Sequence, residues 1–140
     1  MYETVIVPTD GSEAAEAAAQ HGIQQAAAHN ARLVFLAVVE MSGSAVYGTR
    51  DETTIEDQRS ARDSEVSALV NDAESAGVES EGVVEVGIPS RVIIEQAAVR
   101  DADLLIMATR ARSGVGRFLY GSVTERVIRD GDTPVLAVQH

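Results

Sequence analysis

Short apolar runs separated by longer stretches of helical period restrict the fold of this chain more than any other feature. Thr4-Val5-Ile6-Val7-Pro8, residues 33–39, Leu104-Leu105-Ile106-Met107-Ala108 and Val135-Leu136-Ala137-Val138 are apolar at nearly every position. Strands of that kind are covered on both faces, as inside a parallel sheet. Val83-Val84-Glu85-Val86 is shorter and mixed, which predicts a strand nearer an edge. The intervening segments read as helices. Ser12 is placed to cap the first, with Glu13 and Glu16 in its opening turn and Ala15, Ala18, Ala19, Gly22 and Ala26 along one stripe. Residues 56–75 carry Val66, Leu69, Val70 and Ala73 at core spacing before Gly77. Gly87-Ile88-Pro89-Ser90 opens a third helix whose Ile93, Ile94, Ala97 and Ala98 are available to the core. Residues 121–130 form a fourth, stopped by Gly131. The order β-α-β-α-β-α-β-α-β calls for a five-stranded parallel sheet in a three-layer α/β/α arrangement. At 140 residues the chain is long enough for one domain around one core.

Charge narrows the function classes. There are 22 acidic and 11 basic residues, a net of −11, and every basic residue is Arg. Without Lys there is no Schiff-base chemistry and no Walker-type phosphate lysine; without Cys there is no disulfide, thiolate nucleophile or Cys-ligated metal. So acidic a chain is a poor match for nucleic acid or an anionic membrane. The opening residues lack a basic region and no apolar run is long enough to span a bilayer, so the expectation is a cytoplasmic protein. An acid-rich, Lys-free composition also points to life in concentrated salt, where the Debye length falls to ~3 Å at 1 M and acidic self-repulsion is screened.

Ligands of such sheets sit beyond the carboxyl ends of the strands, where strand order reverses. Two segments qualify: the turn at Asp10 after the first strand, and residues 109–120 after the fourth. Charge is segregated between them and the rest. Residues 40–81 hold eleven acids and three Arg, a net of −8, whereas 104–129 hold Arg110, Arg112, Arg117, Arg126 and Arg129 against Glu125 alone, a net of +4. A basic loop leading into a helix N-terminus at Gly121-Ser122 is a place for an anion, with Arg110 and Arg112 as bidentate partners. The same residues also satisfy a plainer reading, in which Ser122-x-x-Glu125 is a capping box and Arg126 and Arg129 answer the helix dipole. His21, His29 and His140 form no grouping with a Ser and a carboxylate, and His21 and His29, eight apart on one helix, read as surface histidines.

Pro8-Thr9-Asp10-Gly11-Ser12-Glu13 resembles the opening of the universal stress protein family. So do Asp103-Leu104-Leu105-Ile106-Met107, Gly121-Ser122-Val123-Thr124-Glu125-Arg126-Val127-Ile128-Arg129 and Thr133-Pro134-Val135-Leu136-Ala137-Val138. The resemblance spans essentially the whole chain. It implies the Rossmann-like, adenine nucleotide alpha hydrolase-like fold, a homodimer, and in many members ATP, with Mg²⁺ through its phosphates, between the first and fourth strand ends. By that resemblance Pro8, Thr9 and Asp10 are cofactor-binding, with Asp10 the acid near the ribose; Val38 lines the adenine pocket, Met107 begins the phosphate loop, and Gly121, Ser122 and Val123 keep the phosphate-side helix N-terminus.

The nucleotide-binding members carry Gly, two residues, Gly, nine residues, then Gly-Ser or Gly-Thr. Here Ala108 and Ala111 occupy the first two glycine positions, so the pattern is half kept, with Arg110 and Arg112 able to supply charge in place of backbone contacts. Two functions follow: a regulatory adenine-nucleotide-binding homodimer, or a non-nucleotide-binding dimeric interaction module. An enzyme is a third and weaker reading, in which any ATP turnover is slow and incidental. Pairing of the last strand, residues 135–138, about a two-fold would cover its apolar edge. The 40–55 loop, with Tyr47 and Arg50, is expected to cover the cleft or meet a partner.

Overall fold

The structure, a computed structural model, describes residues 1–40, 52–109 and 118–139. Along the chain run β1 (Thr4–Thr9), α1 (Glu13–His29), β2 (Arg32–Glu40), α2 (Glu52–Ser75), β3 (Ser80–Gly87), α3 (Pro89–Val99), β4 (Leu104–Ala108), α4 (Phe118–Asp130) and β5 (Val135–Val138). The strands form one parallel sheet in the order β3-β2-β1-β4-β5. Successive side chains of a strand point to opposite faces, so strands that are apolar throughout build two cores. Val5, Val7, Leu33, Phe35, Leu104 and Ile106 pack with α1 and α2 on one face; Ile6, Val34, Leu36, Leu105 and Met107 meet Ile93, Ala97 and Val127 of α3 and α4 on the other. The alternating order and the three layers are those the apolar runs imply.

Helix ends follow their local chemistry. Ser12 Oγ accepts the Ala15 N–H at 3.1 Å and caps α1. Asn30, at φ 55°, closes α1 in the left-handed conformation, with its N–H turned back to the Ala26 and Ala27 carbonyls. The small-residue stripe lets α1 sit close to the sheet: a Cβ at Gly22 would stand 2.5 Å from Val7 Cγ2.

Four boundaries or faces differ from expectation. β3 begins at Ser80 rather than 83, because its ladder with β2 runs from Leu33↔Ser80 to Glu40↔Gly87 irrespective of side-chain polarity. It does lie at an edge, as its mixed composition implied. α2 begins at Glu52 rather than 56; its first turns are polar and carry no apolar period to read. Ala98 is exposed, whereas Ile93 and Ala97 are buried and Ile94 packs beside them. α4 begins at Phe118, three residues before Gly121. Gly121 and Ser122 therefore lie past the first three residues of the helix, and the Ser122 capping box does not mark its start. Glycine costs only about 1 kcal/mol in a helix interior, so Gly121 need not be a boundary.

No helix among the described residues is long and apolar enough to cross a membrane. β5 forms the other sheet edge, with Leu136 and Ala137 exposed.

Candidate functional site

Strand order reverses between β1 and β4, whose connections leave in opposite directions from the centre of the sheet. β1 ends there in Pro8 and Thr9, both buried, and the chain turns sharply. Asp10 Oδ1 accepts the Ser12 N–H at 2.9 Å and Thr9 Oγ1 the Gly11 N–H at 3.3 Å, while Gly11 takes φ 82°. This side-chain-stapled turn exposes Asp10 at the carboxyl end of the sheet.

Beside it opens a cleft of about 350 Å³, lined by Pro8, Thr9 and Asp10 from β1 and its turn, Leu36, Val38, Val39 and Glu40 from β2, Gln58 and Arg62 from α2, Pro89 and Ile93 from α3, and Val123 from α4. That size falls within the range of small-molecule sites. Its walls are mostly apolar, and its charged groups are Asp10, Glu40 and Arg62. Such a lining suits a flat heteroaromatic group against aliphatic side chains with hydroxyls held at the rim.

Of the residues expected from sequence, Pro8, Thr9, Asp10, Val38 and Val123 come together in this cleft from three separate segments. Met107 and Ala108 do not line it. Both are fully buried, Met107 in the α3–α4 core and Ala108 in the α1–α2 core. Ala108 closes β4 in paired strand geometry, opposite Val138, and its carbonyl accepts the Thr124 hydroxyl at 2.9 Å, which ties α4 to the strand end. A positive φ, the conformation for which glycine would be needed, is found among the described non-glycine residues only at Asn30 and Asp101, so the alanine at 108 is unstrained. Gly121 is half-buried and Ser122 exposed, and neither is in the cleft wall. Arg110, Ala111 and Arg112 lie outside the described residues, as do Tyr47 and Arg50 of the 40–55 segment.

The sequence reading missed Leu36, Val39, Glu40, Gln58, Arg62, Pro89 and Ile93. Leu36 shares a strand face with Val38, and period two alone would have found it. Gln58 and Arg62, one helical turn apart, carry no sequence signal of the cleft; they arrive through the packing of α2. Arg62 Nη2 meets Glu65 Oε2 at 2.8 Å, and its Nη1 is 3.5 Å from the Asp10 carbonyl.

Remote from the cleft, the Asp103 carboxylate joins the start of β1 to the start of β4, accepting the Glu3 and Thr4 N–H groups at 2.8 and 2.9 Å. The Thr4 bond, then the Glu3 bond, hold its carboxyl below the usual aspartate value, with a smaller contribution from the nearby N-terminal amine. His21 is exposed and the His29 ring rests on Tyr2, centroids 4.7 Å apart. No group of three His, Cys, Asp or Glu suited to a metal occurs among the described residues.

The family profile described as the universal stress protein family matches residues 1–139. A universal stress protein of Methanocaldococcus jannaschii is 33% identical over 145 aligned positions, covering 99% of this chain and 83% of that protein. Among solved structures, a hypothetical protein used as a structural-genomics test case for assigning biochemical function superposes with a TM-score of 0.84 at 26% identity, over 100% of this chain and 97% of its own. A universal stress protein in complex with cAMP superposes with a TM-score of 0.71 at 30% identity, over 98% and 96%. With the strand order, the cleft at the reversal point and a match over nearly its full length, the chain belongs to the universal stress protein family.

Proposed function

We infer that this single-domain chain binds an adenine nucleotide as a regulatory ligand, as a homodimer. The observation that carries the reading is the cleft at the strand-order reversal, whose lining unites Asp10, Val38 and Val123. The donor set fits the ligand. Leu36, Val38, Ile93 and Val123 offer aliphatic surface to the base. Asp10, with one carboxylate oxygen engaged by Ser12, has the other for ribose hydroxyls. In this reading the phosphates extend toward the segment that follows β4, whose sequence carries Arg110 and Arg112, and toward Gly121 and Ser122 of α4. ATP is the nucleotide of choice, with Mg²⁺ carried on its phosphates. The cAMP complex of a relative 30% identical supports the adenine-nucleotide class. The ligand acts as a signal, and hydrolysis, where it occurs, is incidental. The dimer forms through Val135–Val138, whose exposed Leu136 and Ala137 lie on a free sheet edge.

Protein purified without added nucleotide, denatured and analysed by mass spectrometry, is expected to release an adenine nucleotide, and titration calorimetry of the emptied protein to show Asp10-dependent ATP binding. No binding at any KCl concentration would remove the reading. A second reading draws on Met107 and Ala108, which are buried core residues that do not line the cleft. In it the chain is an interaction module without nucleotide, and Ala108→Gly with Ala111→Gly creates ATP binding where wild type has none.

A further inference from the structure

Among the described residues the exposed arginines are Arg32, Arg91, Arg126 and Arg129, and the last three line one groove. It runs between α3 and α4, holds about 500 Å³, and is walled by Ser90, Arg91, Ile94 and Glu95 of α3 and by Arg126, Arg129 and Asp130 of α4. None of these residues lines the cleft at the strand-order reversal, which α3 meets through Pro89 and Ile93. The cations of the groove are poorly neutralised. Arg129 Nε stands 3.4 Å from Asp130 Oδ1, whereas Arg91 and Arg126 form no ion pair among the described residues. Elsewhere Arg32, Arg62 and Arg100 each meet a carboxylate at 3.1 Å or less. Three guanidinium groups against Glu95 and Asp130 make the groove locally cationic in a chain of net charge −11.

The buried hydroxyls single out the same groove. Thr9, Ser90 and Thr124 are the buried polar residues among those described. Thr9 Oγ1 accepts the Gly11 N–H, and Thr124 Oγ1 donates to the Ala108 carbonyl. Ser90, which is 4% exposed and lines the groove, has no hydrogen-bond partner for its hydroxyl among the described residues. Buried hydroxyls are ordinarily bonded. Ser90 also stands in the first turn of α3, and that end of the helix is bare: Ile88 offers no side-chain cap, Pro89 follows it, and no acid occupies the turn. At α1, by contrast, Ser12 caps and Glu13 and Glu16 answer the dipole. The positive end of α3, an unpartnered hydroxyl and unpaired guanidinium groups thus meet in one groove, and an oxyanion completes all of them.

We propose that the α3–α4 groove binds a small phosphoryl anion. The Ser90 hydroxyl donates to one oxygen, Arg91 and Arg126 pair with others from the two helices, and Arg129 adds charge at the rim. A tetrahedral phosphoryl group presents acceptors in several directions, which suits donors arriving from two helices better than a planar carboxylate does. Guanidinium groups pair strongly with such oxygens, and the hydroxyl supplies a directed bond that charge alone lacks. The site shares no residue with the nucleotide cleft and does not depend on that reading.

Titration of the ¹⁵N-labelled chain with pyrophosphate, in about 0.1 M KCl and followed by amide resonances, tests this while the Debye length is still ~10 Å. Saturable shifts are expected at residues 90–95 and 126–130, with Asp10, Gly11 and Ser12 unmoved. Ser90→Ala should weaken binding about threefold, and Arg91→Gln and Arg126→Gln at least about fivefold each, with the thermal transition still cooperative. Shifts centred on residues 8–12 would put the anion in the nucleotide cleft and overturn the proposal. So would shifts that grow without saturation and that KCl reproduces at equal ionic strength, since the arginines would then answer only solvent and the α4 dipole. Losses in the arginine variants with none in Ser90→Ala would reduce the groove to loose charge attraction, and the site would fall.

Discussion

Gly11 occupies a position whose backbone conformation disfavours other residues, and a side chain there would also have to displace the end of Glu65. Its φ of 82° is unfavourable for any L side chain, and a Cβ there would meet the Glu65 carboxylate at 2.8 Å. Gly11→Ala is therefore expected to lower stability by about 1–2 kcal/mol through the backbone alone, read as a fall in the urea midpoint. Asp103 makes a different kind of contribution. Its folded-state pKa is depressed by the Thr4 and Glu3 N–H bonds, so its stabilisation is complete above the unfolded value of about 3.9 and is lost as pH falls through the folded value. The difference in urea midpoint between wild type and Asp103→Ala should be constant above pH about 5 and shrink steadily below it. A difference that grew on acidification would refute the assignment. At this scale the sequence was legible where a residue acts through its neighbours in the chain. Asp10, Gly11 and Ser12 form one local turn. Arg62 was not legible, since it reaches the Asp10 carbonyl from 52 residues away.

Elements were legible in proportion to their burial. β1, β2 and β4, central in the sheet and apolar on both faces, stand within two residues of the positions their runs imply. β3 and the start of α2 were underestimated because their polar sequences carry no apolar period, and the limits of β3 are set by its pairing with β2. α4 was misread at its N-terminus because Gly-Ser followed by Glu125 satisfies a capping pattern that the helix does not use there. The α1–β1 contact yields a prediction at this scale. Val7 occupies the space a side chain at Gly22 would need, at 2.5 Å, so Gly22→Ala should overpack the layer and cost about 1–3 kcal/mol in chemical denaturation despite alanine's better helix propensity. At the opposite edge of the sheet, Leu136 is 38% exposed on β5. If that strand pairs with its two-fold mate, Leu136→Arg places like charges across the axis, and light scattering should show the dimer giving way to monomer while the thermal transition remains cooperative. An unchanged mass would place the dimer contact elsewhere.

Across the whole molecule no element is more acidic than α2, whose seven acids and two Arg give a net of −5 out of −11. Glu56, Asp57, Asp63, Asp72 and Glu74 of α2 are all exposed, and the ion pairs among the described residues are few and themselves partly exposed. Pairs of that kind contribute little, with a median of about 0–1 kcal/mol, so they do not offset the repulsion of a −11 surface. The cores cannot be the seat of salt sensitivity, because the residues that build them are apolar. The repulsion is between solvent-exposed charges, which salt screens over a Debye length of ~10 Å at 0.1 M and ~3 Å at 1 M. KCl should therefore raise the melting temperature by several degrees between 0.05 and 2 M, most steeply below about 0.5 M, where the screening length changes fastest. Neutralising α2 alone, by Glu56→Gln, Asp57→Asn and Asp63→Asn together, should reproduce part of that gain at low salt and flatten the KCl dependence. Scanning calorimetry of both proteins across the same series checks it. A melting temperature that does not move with KCl in the wild type would mean that the acidic face of α2 is not under electrostatic strain, and the link between this composition and a saline interior would fall.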